Sequence, residues 1–232
     1  MLKSNKNIES ISVSDAICSR HSTRQFLEQS IDANIINEIL IKASRSPSGA
    51  NTQPWEVAVV TGATKLKLDK LLTEAFINKI PATPDYLYYP TNMPEKFIKR
   101  KTHCGSLLYN SVSIDYSDKE NRIKQWLKNY SAFNAPVVLY FFAPKLINSG
   151  SFLDYGMFLQ SIMLLAIEYG LSTCAQAALA EYPNIIKQEL SYNSDDYILL
   201  CGMAIGYEDK SATINQYRTP REDLQNFTKY FT

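Results

Sequence analysis

The chain has 232 residues, 45% of them apolar, with 24 basic against 23 acidic side chains and a formal net charge of +1. That length suits one large domain or two small ones with a substantial core, and the even charge excludes the basic footprint of a DNA or RNA binder. Four cysteines scattered without a CxxC pair, and only two histidines, argue against a disulfide framework and a His-rich metal site.

The opening stretch MLKSNKNIESISVSD lacks the apolar core of a signal peptide. Ser14 is placed to cap a short helix through Ala16 and Ile17 that ends near RHSTR. Asp32 can cap a second helix, with Ile35, Ile36, Ile39, Leu40 and Ala43 recurring on one face. The polar stretch SPSGANTQPW follows directly, and WEVAVVTG reads as a strand closed by Gly62. Thr64 is placed to cap a third helix that buries Leu68, Leu71, Leu72, Ala75 and Phe76.

Between about 81 and 134 the pattern loosens. PATPDYLYYPTNMPEKF is too rich in proline for one helix and too aromatic for a linker, whereas DKENRIKQWLKNY looks helical and solvated. This excursion either packs over a site or is a plain surface insertion. PVVLYFFA is then a buried strand, and DYGMFLQSIMLLAIEYG a helix apolar nearly all round with Gly170 at its C′ position. Such a helix needs cover on every side, from its own domain or a partner chain. Its most apolar run, Met157 to Ile167, is interrupted by Gln160 and too short for a bilayer span, so the expectation is a soluble, cytoplasmic protein. LSTCAQAAL reads as a strand and turn, Pro183 as the first residue of a helix, YILLCGMAIGY as another buried strand, and the tail shows no clear period. Neither GxGxxG nor GxSxG is present to mark a dinucleotide site or a hydrolase elbow.

Two clusters could carry chemistry. SRHSTRQF holds Arg20 and Arg24 four apart with a histidine and hydroxyls, sharing a helix face or flanking a turn. It is either a phosphate site of guanidinium forks and free N–H groups or an ordinary solvated helix end. In SPSGANTQPW, Ser48, Asn51 and Gln53 offer neutral donors and acceptors that suit a flat heterocycle, and Gly49 lets backbone approach closely. Neighbouring His103 and Cys104 read as filler in a loose segment, and Cys174 and Cys201 as inert packing residues. Trp126, Tyr86, Tyr88 and Tyr89 either line a substrate cavity or only pack.

RHSTRQF, followed downstream by ILIKASRSPSGANTQPWEVAVVTG, resembles the FMN-dependent nitroreductase family. DYGMFLQSIMLLAIEYGLSTCAQAA, LCGMAIGY and INQYRTPREDL look like later blocks of that family in the same order, so the resemblance spans nearly the whole chain. NYSAFNAPV and the aromatic excursion resemble the subgroup related to nitrobenzene nitroreductase.

The resemblance implies an α+β fold: a central mixed sheet flanked by helices in one domain over 1–232, with the excursion at about 81–134 covering the active site. It implies an intertwined homodimer with the apolar helix at its centre and a swapped C-terminal tail. Arg20, His21, Ser22 and Arg24 match the block that holds the phosphate and ribityl chain, although arginine is common in the family where this chain has His21. Pro47, Ser48, Gly49, Asn51 and Gln53 match a loop that reaches the flavin from the other subunit. Ala175, Gln176 and Ala177 match the turn near flavin N5, and Arg221 matches the arginine that closes on the phosphate, with Arg218 a weaker candidate. Gln160 and Asn129 fall in matching blocks without an assigned contact. The implied activity is reduction of nitroaromatics, quinones or related small electrophiles by NADH or NADPH, in ping-pong order through flavin N5, with no catalytic side chain and no metal. The alternatives are ene reduction, dehalogenation or dehydrogenation by a relative, and FMN binding without turnover.

Overall fold

The structure, a computed structural model, describes residues 11–147 and 149–232. Among these residues four strands form one sheet in the order β1-β2-β4-β3: β1 Glu56–Thr61, β2 Val137–Pro144, β3 Ser172–Gln176 and β4 Tyr197–Gly206. Every pairing between these strands is antiparallel, so the expected mixed sheet is corrected. Parallel geometry survives only as an isolated bridge between Ser22 and Thr173 at the β3 edge. β1 and β2 are joined by the long excursion yet run antiparallel, so no helical crossover of the parallel kind is needed between them.

Among the described residues, seven α-helices surround the sheet: α1 Val13–Ser19, α2 Ala33–Ala43, α3 Gly62–Ile77, α4 Glu95–Ser111, α5 Lys119–Leu127, α6 Ser151–Glu168 and α7 Pro183–Glu189. The central strand β2 is apolar in unbroken sequence because both its faces are covered. Val138, Tyr140 and Phe142 pack with Leu68, Leu72 and Ala75 of α3 and Ile186 of α7. Val137, Leu139, Phe141 and Ala143 pack with Ile36, Ile39 and Ala43 of α2 and with Tyr155, Phe158, Ile162 and Ala166 of α6. The period-2 alternation of one strand thereby divides the core into two layers.

Several boundaries differ from expectation. Ser12, not Ser14, caps α1, its Oγ accepting from Asp15 N. The stretch MLKSNKNIES, part of the signal-peptide reading, lies outside the described residues. Asp32 caps α2 as expected, accepting from Asn34 N at 2.9 Å. α3 begins directly on Gly62, whose φ of +55° turns the chain out of β1, and this leaves Thr64 inside the first turn rather than at a cap. Gly170, at φ +68°, ends α6 as the sequence implies.

α4 was not legible. Its 17 residues take from the proline-rich stretch only the end, Glu95 to Phe97, and Pro94 sits at the N-cap, where a missing N–H costs nothing. None of its residues is buried, so no clean apolar stripe marks it. The excursion is nonetheless fastened to the core. Asp85 accepts from Lys187 Nζ at 2.7 Å and from Leu199 N at 2.7 Å, and Tyr86 donates its hydroxyl to Leu200 O at 2.7 Å. Leu87, Tyr88 and Tyr89 remain exposed.

α6, at 18 residues, is longer than the run Met157 to Ile167 suggested, and it has the length and composition of a membrane span. Its buried stripe includes Asp154, however, and packs on the sheet. On another side Leu153 is 74% exposed and Met157 39%.

Candidate active site

α1 stops at Ser19, and Arg20 already has extended backbone (φ −58°, ψ 129°). Arg20 and Arg24 therefore share no helix face. The segment beyond Arg20 instead runs alongside β3, where Thr23 N donates to Thr173 O at 3.0 Å and Ser22 bridges Thr173. In an extended chain alternate residues point the same way. Arg20, Ser22 and Arg24 accordingly line one cavity of about 500 Å³, while Thr23 between them is fully buried.

The C-terminal segment closes the other side of this cavity. Buried Asn215 holds it in place, accepting from Arg24 N at 2.8 Å and donating to Gln25 O and Asp209 O at 2.8 and 2.9 Å. Tyr217, Arg218, Thr219 and Arg221 then join the lining. Arg24 Nη1 donates to Tyr217 OH at 2.7 Å, Arg218 Nη1 to Asn215 O at 2.7 Å, and Arg221 Nη1 to Thr219 Oγ1 at 2.9 Å.

Four guanidinium groups thus surround one space, and among the described residues none of the four is in an ion pair. The neighbouring acids are committed elsewhere: Glu208 to His21 Nε2 at 2.9 Å, and Glu222 to Arg100 of α4. Burial, and then the charge of Arg221, push the Arg20 guanidinium below its ordinary pKa. Burial also raises the Cys174 thiol, opposed by Arg24, a hydrogen bond from Ser22 and Arg20. A partly desolvated cluster of like charges is costly until an anion enters it. His21 also lines the cavity, but its ring nitrogens lie within reach of Glu208 and of Ser19 O at 3.2 Å.

β3 carries the second group. Ala175 is exposed on the sheet edge and Ala177 is half-buried. Buried Gln176 donates Nε2 to both O and Oδ1 of Asn129, each at 3.1 Å, which fixes the orientation of the amide. Its Oε1 is buried with no hydrogen-bond partner. An orphaned acceptor of this kind costs about 1–3 kcal/mol unless a donor arrives. Gln160, half-buried on α6, joins neither group by a hydrogen bond among the described residues.

The loop Ser46–Trp55 lies apart from both. Ala50, Asn51 and Gln53 all have left-handed backbone, with φ of 49°, 57° and 47°. Such conformations cost of the order of 1 kcal/mol or more each and persist only where surroundings enforce them. Here Ser48 Oγ accepts from Gln53 N at 2.9 Å, Gly49 N donates to Asp154 Oδ2 at 3.3 Å, and Trp55 stacks on Phe158 with centroids 4.7 Å apart. Ser48 is half-buried, while Pro47, Gly49, Asn51 and Gln53 are exposed, and none of the five lines the arginine cavity. Within one chain the expected site residues fall into three groups, the arginine cluster, the β3 turn and this loop, and only the first lines the cavity.

Cys18, Cys104, Tyr217 and Thr219 line the cavity without having been singled out as site residues. Tyr217 and Thr219 had a signal, since they interleave with Arg218 and Arg221 in QYRTPR. Cys104 had none, because it arrives on α4, the helix that sequence pattern did not reveal.

Arg20, Arg24, Arg218 and Arg221 about one cavity form a site whose chemistry suits an anion such as a phosphate group. The model of the Nitroreductase family matches residues 17–207, and this chain belongs to that family. It is 38% identical over 214 residues to the 4-nitrobenzoate reductase of Pseudomonas putida, covering 92% of this chain and 93% of that one. It is 31% identical over 220 residues to the nitrobenzene nitroreductase of Ectopseudomonas oleovorans, covering 94% and 96%. The crystal structure of the FMN and NADPH-dependent nitroreductase NfnB from sphigopyxis sp. strain HMH superposes with a TM-score of 0.92 at 34% identity, over 96% of this chain and 100% of that one.

Proposed function

We propose that this protein is an FMN-dependent oxidoreductase that uses NADPH or NADH to reduce nitroaromatics, quinones or related small electrophiles. The observation that carries the reading is the cluster of Arg20, Arg24, Arg218 and Arg221 about one cavity, with the nearby carboxylates paired elsewhere. A phosphate dianion satisfies that cluster. Ser22 and the guanidinium forks of Arg20, Arg24 and Arg221 hold it, and His21 braces the wall through Glu208. Gln176 Oε1 supplies an acceptor for an N–H or O–H of the ring system, and Ala175 leaves the strand edge open for close approach. FMN held there would supply the redox chemistry, hydride exchange between a nicotinamide and the second substrate. The site side chains hold and orient, and none of them is needed to move a proton.

The loop Pro47, Ser48, Gly49, Asn51 and Gln53 belongs to this site by way of a second copy of the chain. Supporting this are its strained, enforced backbone, its separation from the cavity, and the apolar surface left open on α6 and on the tail at Leu224, Phe227, Tyr230 and Phe231. The reading is an intertwined homodimer with a swapped tail, each chain a single domain whose excursion at about 81–134 covers the active site, working in the cytoplasm.

The test is anaerobic mixing of the FMN-loaded protein with NADPH or NADH. The flavin absorbance should bleach and return on adding 4-nitrobenzoate or a quinone, with a bleaching rate that changes little between about pH 6 and 8, where a catalytic histidine would titrate. A flavin that stays oxidised would overturn the enzymatic reading, and a bell-shaped rate profile would overturn the absence of a catalytic acid or base.

A further inference from the structure

α5 presents Lys119, Arg122, Ile123 and Trp126 at i, i+3, i+4 and i+7, the spacing of a single helix face. With Phe76 of α3 and Tyr109 of α4 these residues line a cavity of about 390 Å³ that shares no residue with the arginine cavity. Most of its walls are aromatic or aliphatic, and its only charges are positive. The neighbouring Lys124 pairs with Glu120 at 2.6 Å, whereas among the described residues Lys119 and Arg122 have no carboxylate partner. Asp118, the acid next to Lys119 in sequence, is turned to Asn121 N and Nδ2 at 3.0 and 2.7 Å.

Arg122 is held in a defined pose. Its guanidinium lies over the Tyr109 ring at 5.1 Å and the Tyr116 ring at 4.7 Å, and Nη1 donates to Tyr116 O at 2.9 Å. Its Nε is buried with no hydrogen-bond partner. Guanidinium has five N–H donors, so this group retains donors for a planar acceptor, and aromatic stacking has already reduced its freedom.

We propose that this cavity binds a small planar aromatic carboxylate, with the ring against Phe76, Tyr109 and Trp126 and the carboxylate on Arg122 and Lys119. The volume suits a one-ring ligand and is near the small end of the range for ligand pockets. A carboxylate supplies the planar oxygens that an arginine fork prefers, and the apolar walls favour an aromatic body over a bare inorganic anion. The site stands on α3, α4 and α5 and does not depend on the flavin reading.

Isothermal titration of the FMN-loaded protein with benzoate, and with the neutral isostere benzamide, tests it. Benzoate should bind at least about tenfold tighter than benzamide, and Arg122→Met and Lys119→Met should each remove most of that preference while FMN content is unchanged. Lys119 is exposed, so its variant keeps the test available if Arg122→Met fails to fold. Equal affinity for the two ligands, unchanged benzoate affinity in Lys119→Met, or displacement of benzoate by inorganic phosphate would each overturn the proposal, the last by placing the ligand in a simple anion site.

Discussion

Arg221 is exposed and hydrogen-bonded only within its own turn, and its charge lowers the pKa of half-buried Arg20. Removing it should therefore affect the ligand and not the fold. Arg221→Ala is expected to weaken FMN binding by roughly ten- to a hundredfold, the equivalent of one charged hydrogen bond of about 1.5–3 kcal/mol. The thermal midpoint of the flavin-free protein should hold steady or rise, because a like-charge repulsion is relieved. Fluorimetric FMN titration and a melt of the apoprotein would check both, and a variant that keeps wild-type affinity would remove Arg221 from the phosphate site. At this scale the sequence was informative where residue type matched chemistry. Arg20, Ser22 and Arg24 of SRHSTRQF do face one cavity, although through an extended segment instead of a helix, while Thr23 turns inward. Cys104 was hidden because nothing local reports which helix will come to lie over a given pocket.

Lys187 and Asp85 show how a loose segment is tied to a packed one. Lys187 is 1% exposed and depends on Asp85, whereas Asp85 side-chain exposure is 15% and the carboxylate has a second donor in Leu199 N. Breaking the pair from either side is therefore not equivalent. Asp85→Ala strands a buried ammonium and a strand N–H, a loss of about 3–5 kcal/mol. Lys187→Met keeps the aliphatic stem packed and leaves a carboxylate that still has a partner and some water, so it should cost less than half as much. Urea unfolding of the two variants measures the difference; equal losses would mean that the ion pair does not anchor the excursion. Elements with strong periodicity, such as α2, β2, α6 and β4, were readable because each buries a regular stripe or both faces. α4 was not, since it buries no side chain and borrows its position from the tail through Arg100 and Glu222.

The molecule as a whole leaves apolar surface open where a monomer should not. Leu153 on α6 and Phe227, Tyr230 and Phe231 in the tail are each at least 68% exposed, and large open apolar surfaces mark association sites. The sequence pointed to this with a helix apolar all round, but it could not say which side its own domain would cover. That depends on how α6 lands on the sheet, a tertiary matter invisible to a window of residues.

The separation of the Asn51 loop from the arginine cavity has a consequence for inheritance of activity between damaged copies. If each flavin site takes its arginines from one chain and its loop from the other, then Arg221→Ala and Asn51→Ala lesions fall on opposite halves of a shared site. A dimer holding one chain of each kind has one site with both lesions and one with neither. Random pairing of the two variants on co-expression should thus restore wild-type chemistry at about a quarter of all sites, although each variant alone is impaired. Activity of the mixture equal to the mean of the two variants would mean that each chain builds its site alone. Where such rescue occurs, one defective allele still spoils half of the sites, whereas two alleles broken in different halves spare some, because every chain is at once a tenant of its own site and the wall of its neighbour's.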